Sequence, residues 1–236
     1  MSGSQQLTLN IGLRDGLRFS SFYCAKNSSN AETLATLQGF ISSPEAQQIF
    51  LWGKQKSGKT HLLQASCAEA YQHNMTVSYI PLKMLAQNGP GILTGINQAQ
   101  LVVIDDIDCI IGDRNWETAF FNLINQIRSK GHKLLISATQ NPRHLDCVLP
   151  DLASRLIWGG SYQIHELSDA DRLKALQARA EQRGFKLSDR VIDYLFRRYP
   201  RDIETLMDIL NTLDKESLRK KTLITVPFVK QVLEER

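Results

Sequence analysis

The chain has 236 residues, 42% of them hydrophobic and 22% charged, with a formal net charge of +4. That composition excludes a mostly disordered chain, and the length allows one large domain or one ordinary domain with a small companion. The apolar runs, such as Leu101 to Ile104, are far shorter than the ~20 residues of a membrane-spanning helix. The polar amino terminus lacks the basic-then-apolar order of a secretory signal, so a cytoplasmic address with no membrane partner is expected. A charge this mild does not by itself argue for nucleic acid. Cys24, Cys67, Cys109 and Cys147 lie far apart, with no C-x-x-C pair and no histidine at ligand spacing, which predicts free thiols and no zinc site.

Residues 1–20 carry no long periodic pattern. Gly3, Gly12 and Gly16 among Ser2, Ser4, Asn10 and Asp15 predict an extended or mobile tail. A helical pattern starts near Phe22, with Leu34, Leu37, Phe40 and Ile41 on one face. Ile49 to Trp52 reads as a buried strand ended by glycine, and Thr60 to His73 as a helix carrying Leu62, Leu63, Cys67 and Ala70. Val77 to Pro81 is the next strand, and Asn88-Gly89-Pro90-Gly91 a loop. Leu101 to Asp105 and Lys133 to Ala138 are further strands, separated by an amphipathic helix from Trp116 to Ile127. Alternating strands and helices with continuously apolar strands predict a parallel α/β sheet. After about Ile164 only helical spacing recurs, with Ser168 and Ser188 as N-cap candidates and Pro227 flanking a last helix. The expected organisation is a tail at 1–20, an α/β domain at 21–164 and an all-helical subdomain at 165–236.

Gly53-Lys54-Gln55-Lys56-Ser57-Gly58-Lys59-Thr60 matches G-x-x-x-x-G-K-[ST] at every fixed position, between an apolar strand and an amphipathic helix. Loop amides and a helix N-terminus can surround a β-phosphate, Lys59 can reach β and γ oxygens, and the Thr60 hydroxyl can hold Mg²⁺. Leu101 to Asp106 supplies the acid half. A strand ending in acid puts Asp105 at the carboxyl edge of the sheet, where it can support Mg²⁺ directly or through water. Asp106 can orient an attacking water, and being a methylene shorter than glutamate it predicts slow hydrolysis.

With these residues in view, the sequence resembles the AAA+ ATPases, and among them the nucleotide-binding core of the bacterial replication initiator DnaA and its regulatory homologues. Leu51-Trp52, the loop through His61-Leu62-Leu63, Ile104-Asp105-Asp106-Ile107 and Pro150-Asp151-Leu152-Ala153-Ser154-Arg155-Leu156 carry it. Gly112-Asp113 with Trp116-Glu117, Arg183-Gly184-Phe185 and the stretch from Ile224 to Val232 add to it. The resemblance runs from Gln6 to near the carboxyl terminus. It implies an AAA+ P-loop NTPase, a parallel sheet flanked by helices, with a small C-terminal all-helical lid. It implies ADP or ATP with Mg²⁺ in the loop, including His61. Thr139 falls at the polar sensor position that ends the fourth core strand, Arg155 at the arginine finger and Arg201 at the sensor-2 arginine of the lid. Phe22 and Tyr23 fall in the base-binding segment, with plain core packing as the alternative; for Arg155 and Arg201 the alternative is a solvated arginine. Two positions depart from the pattern: Lys56 stands where glycine is usual, and Thr139 where aspartate is usual.

Gln6, Leu7, Leu9 and Ile11 resemble the short peptide by which replication proteins dock on the DNA sliding clamp. The stretch after the lid leaves no room for the initiator's helix-turn-helix domain, so DNA contact is expected only indirectly, through the clamp. The resemblance therefore implies a regulator that docks on the clamp and stimulates hydrolysis of ATP bound to DnaA, converting it to the ADP form. Its own hydrolysis would be weak, and a homo-oligomer is compatible with the family. The alternative is a DNA-handling AAA+ ATPase such as a helicase loader.

Overall fold

The computed structural model describes residues 17–43, 45 and 47–234. They divide into two compact units: one of the described residues up to Phe22 with Ser29–His165, the other of Tyr23–Ser28 with the residues from Glu166 on.

The first unit is built on a five-stranded sheet of β1 (Gln48–Trp52), β2 (Val77–Pro81), β3 (Leu101–Asp105), β4 (Lys133–Ala138) and β5 (Gly160–Gln163). All pairings are parallel and the order is β2-β3-β4-β1-β5. Parallel strands are covered on both faces, which explains why β1, β3 and β4 read as continuous apolar runs. Their side chains divide by alternation. Phe50, Val102, Ile104, Leu134 and Ile136 face one core, with Trp116, Phe120, Leu123, Ile124 and Ile127 of helix Arg114–Ser129. Ile49, Leu51, Leu101, Val103 and Leu135 face the other, with Leu37 and Phe40 of helix Ser29–Ser42 and Leu62, Leu63 and Cys67 of helix Lys59–Gln72. Each fully buried Leu, Ile or Phe contributes about 1.5–3 kcal/mol relative to exposure. In chain order the helices of this unit are α1 (Ser29–Ser42), α2 (Lys59–Gln72), the single turn α3 (Leu82–Leu85), α4 (Arg114–Ser129) and α5 (Pro150–Leu156). α4 starts where the Asp113 carboxylate accepts the amides of Asn115 at 2.8 Å and Trp116 at 3.2 Å.

From β1 the chain crosses to β2 on one side, and from β4 it crosses to β5 on the other. The carboxyl ends of β1 and β4 therefore flank the topological switch point, the crevice where ligands of open α/β sheets bind.

The second unit consists of α6 (Asp169–Gln182), α7 (Asp189–Arg198), α8 (Ile203–Lys220) and α9 (Val226–Glu234), besides Tyr23–Ser28. Leu176, Ala180, Val191, Leu195, Leu206, Leu210, Leu213 and Val229 form its core. Ser168 caps α6 by accepting the Asp171 amide at 3.1 Å, and Asp202 caps α8 through the Thr205 amide at 3.0 Å. Ser188 occupies the cap position of α7 without a side-chain bond. No described helix is long and apolar enough to cross a membrane.

Three local features differ from the sequence expectation. The helix expected from Phe22 starts at Ser29, and Phe19–Ser21 is instead a 3-10 turn. Within the stretch from Asn88 to Gly91, Pro90 opens a 3-10 turn, Pro90–Leu93. The sequence reading did not anticipate β5: Gly160-Ser161-Tyr162-Gln163 is an edge strand that, among the described residues, pairs only with β1 and alternates half-buried with exposed residues.

Candidate functional site

The loop after β1 is held by backbone geometry that its two motif glycines make feasible. The Gly53 amide donates to the carbonyl of Ala138 at 3.2 Å, which keeps the loop beside the end of β4. A Cβ on Gly53 would lie 2.3 Å from the carbonyl oxygen of Ile164, and one on Gly58 2.8 Å from Phe22 Cε2. Gly58 has φ +102 and leads directly into α2. Lys56 has φ 62, a left-handed conformation that costs an L residue about 1–2 kcal/mol and that glycine would adopt freely.

Lys54, Gln55, Lys56 and Thr60 are exposed, whereas Ser57 and Lys59 are buried. The Lys59 ammonium donates to the carbonyls of Gly53 at 2.7 Å and Lys54 at 2.8 Å, so the side chain folds back across its own loop. Burial pushes its pKa down, and the carboxylates of Asp106, Asp105 and Asp108 push it back up. The Ser57 hydroxyl is buried with no hydrogen-bond partner among the described residues. An orphaned hydroxyl, a buried ammonium and the N-terminus of a 14-residue helix form a cradle that fits a phosphate group. His61, one residue into the helix from Thr60, turns toward the preceding segment. Its Nε2 lies 3.0 Å from the Arg18 carbonyl and 3.3 Å from Ser21 Oγ. Its ring meets Phe22 edge-on at 5.4 Å. Phe22 therefore packs against both the loop glycine and the first turn of α2. Tyr23 opens the short segment grouped with the second unit.

The acid side of the crevice is more extensively bonded than the sequence indicates. Asp105 is 3% exposed. Its Oδ2 accepts the Tyr79 hydroxyl at 2.8 Å and its Oδ1 accepts the Ser137 hydroxyl at 2.5 Å. Ser137 Oγ in turn accepts the Asp106 amide at 2.9 Å. This bond holds Asp106 in a left-handed conformation, φ 59 and ψ 56. Burial, then the Asp105 charge, raises the Asp106 pKa, and Lys59 opposes both. Hard oxygen donors at Thr60 and Asp105 suit Mg²⁺, which keeps several of its waters. Both Asp105 oxygens already accept one hydroxyl each, and each keeps a lone pair for an ion or for its water. Among the described residues no group of three or more His, Cys, Asp or Glu side chains could hold a metal by itself.

Thr139, at the end of β4, is fully occupied by Asp108. Its amide donates to Asp108 Oδ2 at 2.9 Å and Oδ1 at 3.1 Å, and its hydroxyl to Oδ1 at 2.7 Å. Sequence reasoning missed Asp108, Tyr79, Ser137 and Lys83, whose charge acts on Asp106. Asp108 had a visible signal, as the third acid in four residues; the others sit at ordinary strand and turn positions.

Arg155 is not at the crevice. Its carbonyl accepts Gln48 Nε2 at 2.9 Å, at the beginning of β1, whereas the phosphate loop follows the end of that strand. Its guanidinium carbon lies 5.9 Å from the Phe121 ring centroid, and its Nε is buried with no hydrogen-bond partner among the described residues. In the second unit, Arg201 is exposed, pairs with Asp169 at 2.9 Å and donates Nε–H to the Phe196 carbonyl at 3.0 Å. The Arg201–Asp169 bond, ahead of the one from Arg172, holds the Asp169 carboxyl below its ordinary value. Gln6, Leu7, Leu9 and Ile11 lie outside the described residues.

A family model described as the bacterial DnaA ATPase domain matches residues 13–163, and one described as the Hda lid domain matches residues 169–233. Domain III of the replication initiation protein DnaA from Thermotoga maritima is similar in structure, with a TM-score of 0.77 at 18% identity over 95% of this chain and 98% of that one. AMPPCP-bound DnaA from Aquifex aeolicus gives a TM-score of 0.68 at 24% identity over 86% and 68%. DnaI gives 0.53 at 16% over 66% and 90%. At these identities the structural likeness speaks to the fold, and the family matches, which together span nearly the whole chain, speak to ancestry. The chain belongs to the bacterial DnaA ATPase-domain family of AAA+ proteins, and its helical unit is a lid of the Hda type.

Proposed function

We propose that the chain binds an adenine nucleotide, ADP or ATP, in the Gly53–Thr60 loop and regulates replication initiation. Docked on the DNA sliding clamp through Gln6, Leu7, Leu9 and Ile11, it offers Arg155 to ATP held by DnaA and stimulates conversion to the ADP form. In its own site, Lys59 would leave the Gly53 and Lys54 carbonyls for phosphate oxygens. The Ser57 hydroxyl would gain a partner there, and Phe22 would border the base. Mg²⁺ would be held by Thr60 directly and by Asp105 through water, neutralising phosphate charge. Intrinsic hydrolysis would be slow, because Asp106 is short and its carboxylate is disfavoured by burial.

The observation that carries the in-trans reading is the position of Arg155. Its backbone is tied to Gln48, and the loop starts five residues later at Gly53. An extended strand covers about 3.3 Å per residue, which puts roughly 16 Å between the two ends. An arginine on that edge is poorly sited for its own loop and well sited for a neighbour's nucleotide. There a guanidinium beside the γ-phosphate would stabilise the charge that develops in transfer.

The test is single-turnover decay of DnaA-bound ATP with this protein and clamp loaded on DNA. Wild type should accelerate decay, and Arg155→Ala should remove the acceleration by about 10³-fold or more while its own nucleotide affinity stays unchanged. Arg155→Lys should rescue poorly, since an ammonium lacks the planar fork. Wild-type acceleration by Arg155→Ala would refute the mechanism. No acceleration by the wild-type protein would favour the helicase-loader alternative.

A further inference from the structure

We propose that Glu117 is the positioning residue for Arg155. The functional consequence rests on the in-trans reading above; the geometric claim does not. Glu117 sits on α4 with no solvent exposure. Its Oε1 accepts the amides of Gly112 at 2.8 Å and Val148 at 3.1 Å, and its Oε2 accepts the amide of Leu149 at 2.6 Å. Leu149 is the N-cap of α5, and Arg155 lies in the last turn of that seven-residue helix. The buried carboxylate thus pins the backbone at the point where the chain enters the helix that bears the arginine.

Four residues further along α4, on the same face, Phe121 meets the Arg155 guanidinium at 5.9 Å. One helix therefore supports both the entry to α5 and the arginine head group. With Nε lacking an acceptor, the direction of the side chain follows from the α5 backbone and the Phe121 ring. What fixes the backbone fixes the arginine.

The site demands an acceptor-only group. Three amide donors converge on two oxygens, and an ionised carboxylate can serve them all. Glutamine has nearly the same shape but must turn an NH₂ toward at least one N–H, leaving a buried donor facing a donor. The cheapest relief is movement of the 148–149 backbone, where Val148 is exposed and Leu149 half-buried, and this tilts α5. A misplacement of about 1 Å in a group that stabilises a transition state can cost about 10²-fold in rate.

The experiment uses the full-length ¹⁵N-labelled protein. The Arg155 Nε–H resonance is assigned by its loss in Arg155→Lys. Glu117→Gln should keep a cooperative thermal transition and native circular dichroism, yet shift that resonance as the Phe121 ring current changes. It should also reduce stimulated ATP decay by about 10²-fold. Glu117→Asp keeps the charge but shortens the reach, so it should shift the resonance less; it carries the test alone if Glu117→Gln does not fold. An unmoved resonance in a folded variant overturns the proposal. A moved resonance with undiminished stimulation upholds the positioning role and instead sinks the in-trans reading.

Discussion

Replacing Gly58 by alanine tests how the segment before α1 and the phosphate loop depend on each other. Gly58 has φ +102, well beyond the left-handed well near +57° that an L residue can occupy. Alanine there carries about 1–3 kcal/mol of backbone strain. Its Cβ would also stand 2.8 Å from Phe22 Cε2, so the ring has to leave. Leaving costs Phe22 its edge-on contact with His61, about 0.5–1.5 kcal/mol for an aromatic pair. The sum is about 3 kcal/mol, which lowers Tm by roughly 6–12 °C in a chain of this size. Scanning calorimetry on Gly58→Ala, Phe22→Ala and the double variant separates the two parts. In the Phe22→Ala background the overlap is gone and only strain remains, so the double variant should be about 1 kcal/mol less destabilised than additivity requires. ADP affinity should stay low in both Gly58→Ala backgrounds, because the strained peptide is the one that leads into α2. A Tm within about 1 °C of wild type for Gly58→Ala would refute the backbone argument. Strict additivity with Phe22→Ala would refute the packing of Phe22 on the loop.

Three further substitutions probe opposite sides of the crevice. Lys59→Ala removes the ammonium that bonds the Gly53 and Lys54 carbonyls and should weaken binding of nucleoside di- or triphosphate by about 100-fold or more, since bonds to charged groups are each worth about 1.5–3 kcal/mol; unchanged affinity by titration calorimetry would refute the site. Asp108→Asn leaves the Thr139 amide and hydroxyl one acceptor oxygen and should lower Tm by about 3–8 °C. Thr139→Val should lower it less than additively in combination with Asp108→Asn, and full additivity would show that the two do not act as a pair.

What could be read from the sequence was whatever depends on neighbours along the chain. β1, β3 and β4 are continuous apolar runs because both faces are covered, and the phosphate loop is a local spacing between a strand and a helix. β5 was not legible, because an edge strand with exposed Ser161 and Gln163 carries no apolar run. Nor were the bonds that define the acid side. Tyr79 and Asp105 are 26 residues apart, Ser137 and Asp105 32, and Thr139 and Asp108 31. Such partners become neighbours only when the β2-β3-β4 order is known. The Arg155 motif was legible as a pattern, while its support by Glu117 and Phe121 comes from a different helix.

The departure at Thr139 shows how the two kinds of information combine. From the sequence, threonine in place of aspartate only weakened the expectation of a γ-phosphate sensor. In the structure a carboxylate stands against Thr139, that of Asp108 in the turn after β3. It takes the hydroxyl proton of Thr139 as well as its amide proton. A hydroxyl has one proton to give and two lone pairs to offer. With that proton committed to Asp108, Thr139 can accept a bond from a water but cannot donate one to a phosphate oxygen. The nearby charge is negative as well, since Asp105, Asp106 and Asp108 all act on Lys59. Sensing a terminal phosphate by donation would require the Asp108–Thr139 bonds to break first, at a cost of about 1.5–3 kcal/mol for each bond to a carboxylate. That cost and the short Asp106 act in the same direction, the one that the proposed slow intrinsic hydrolysis requires.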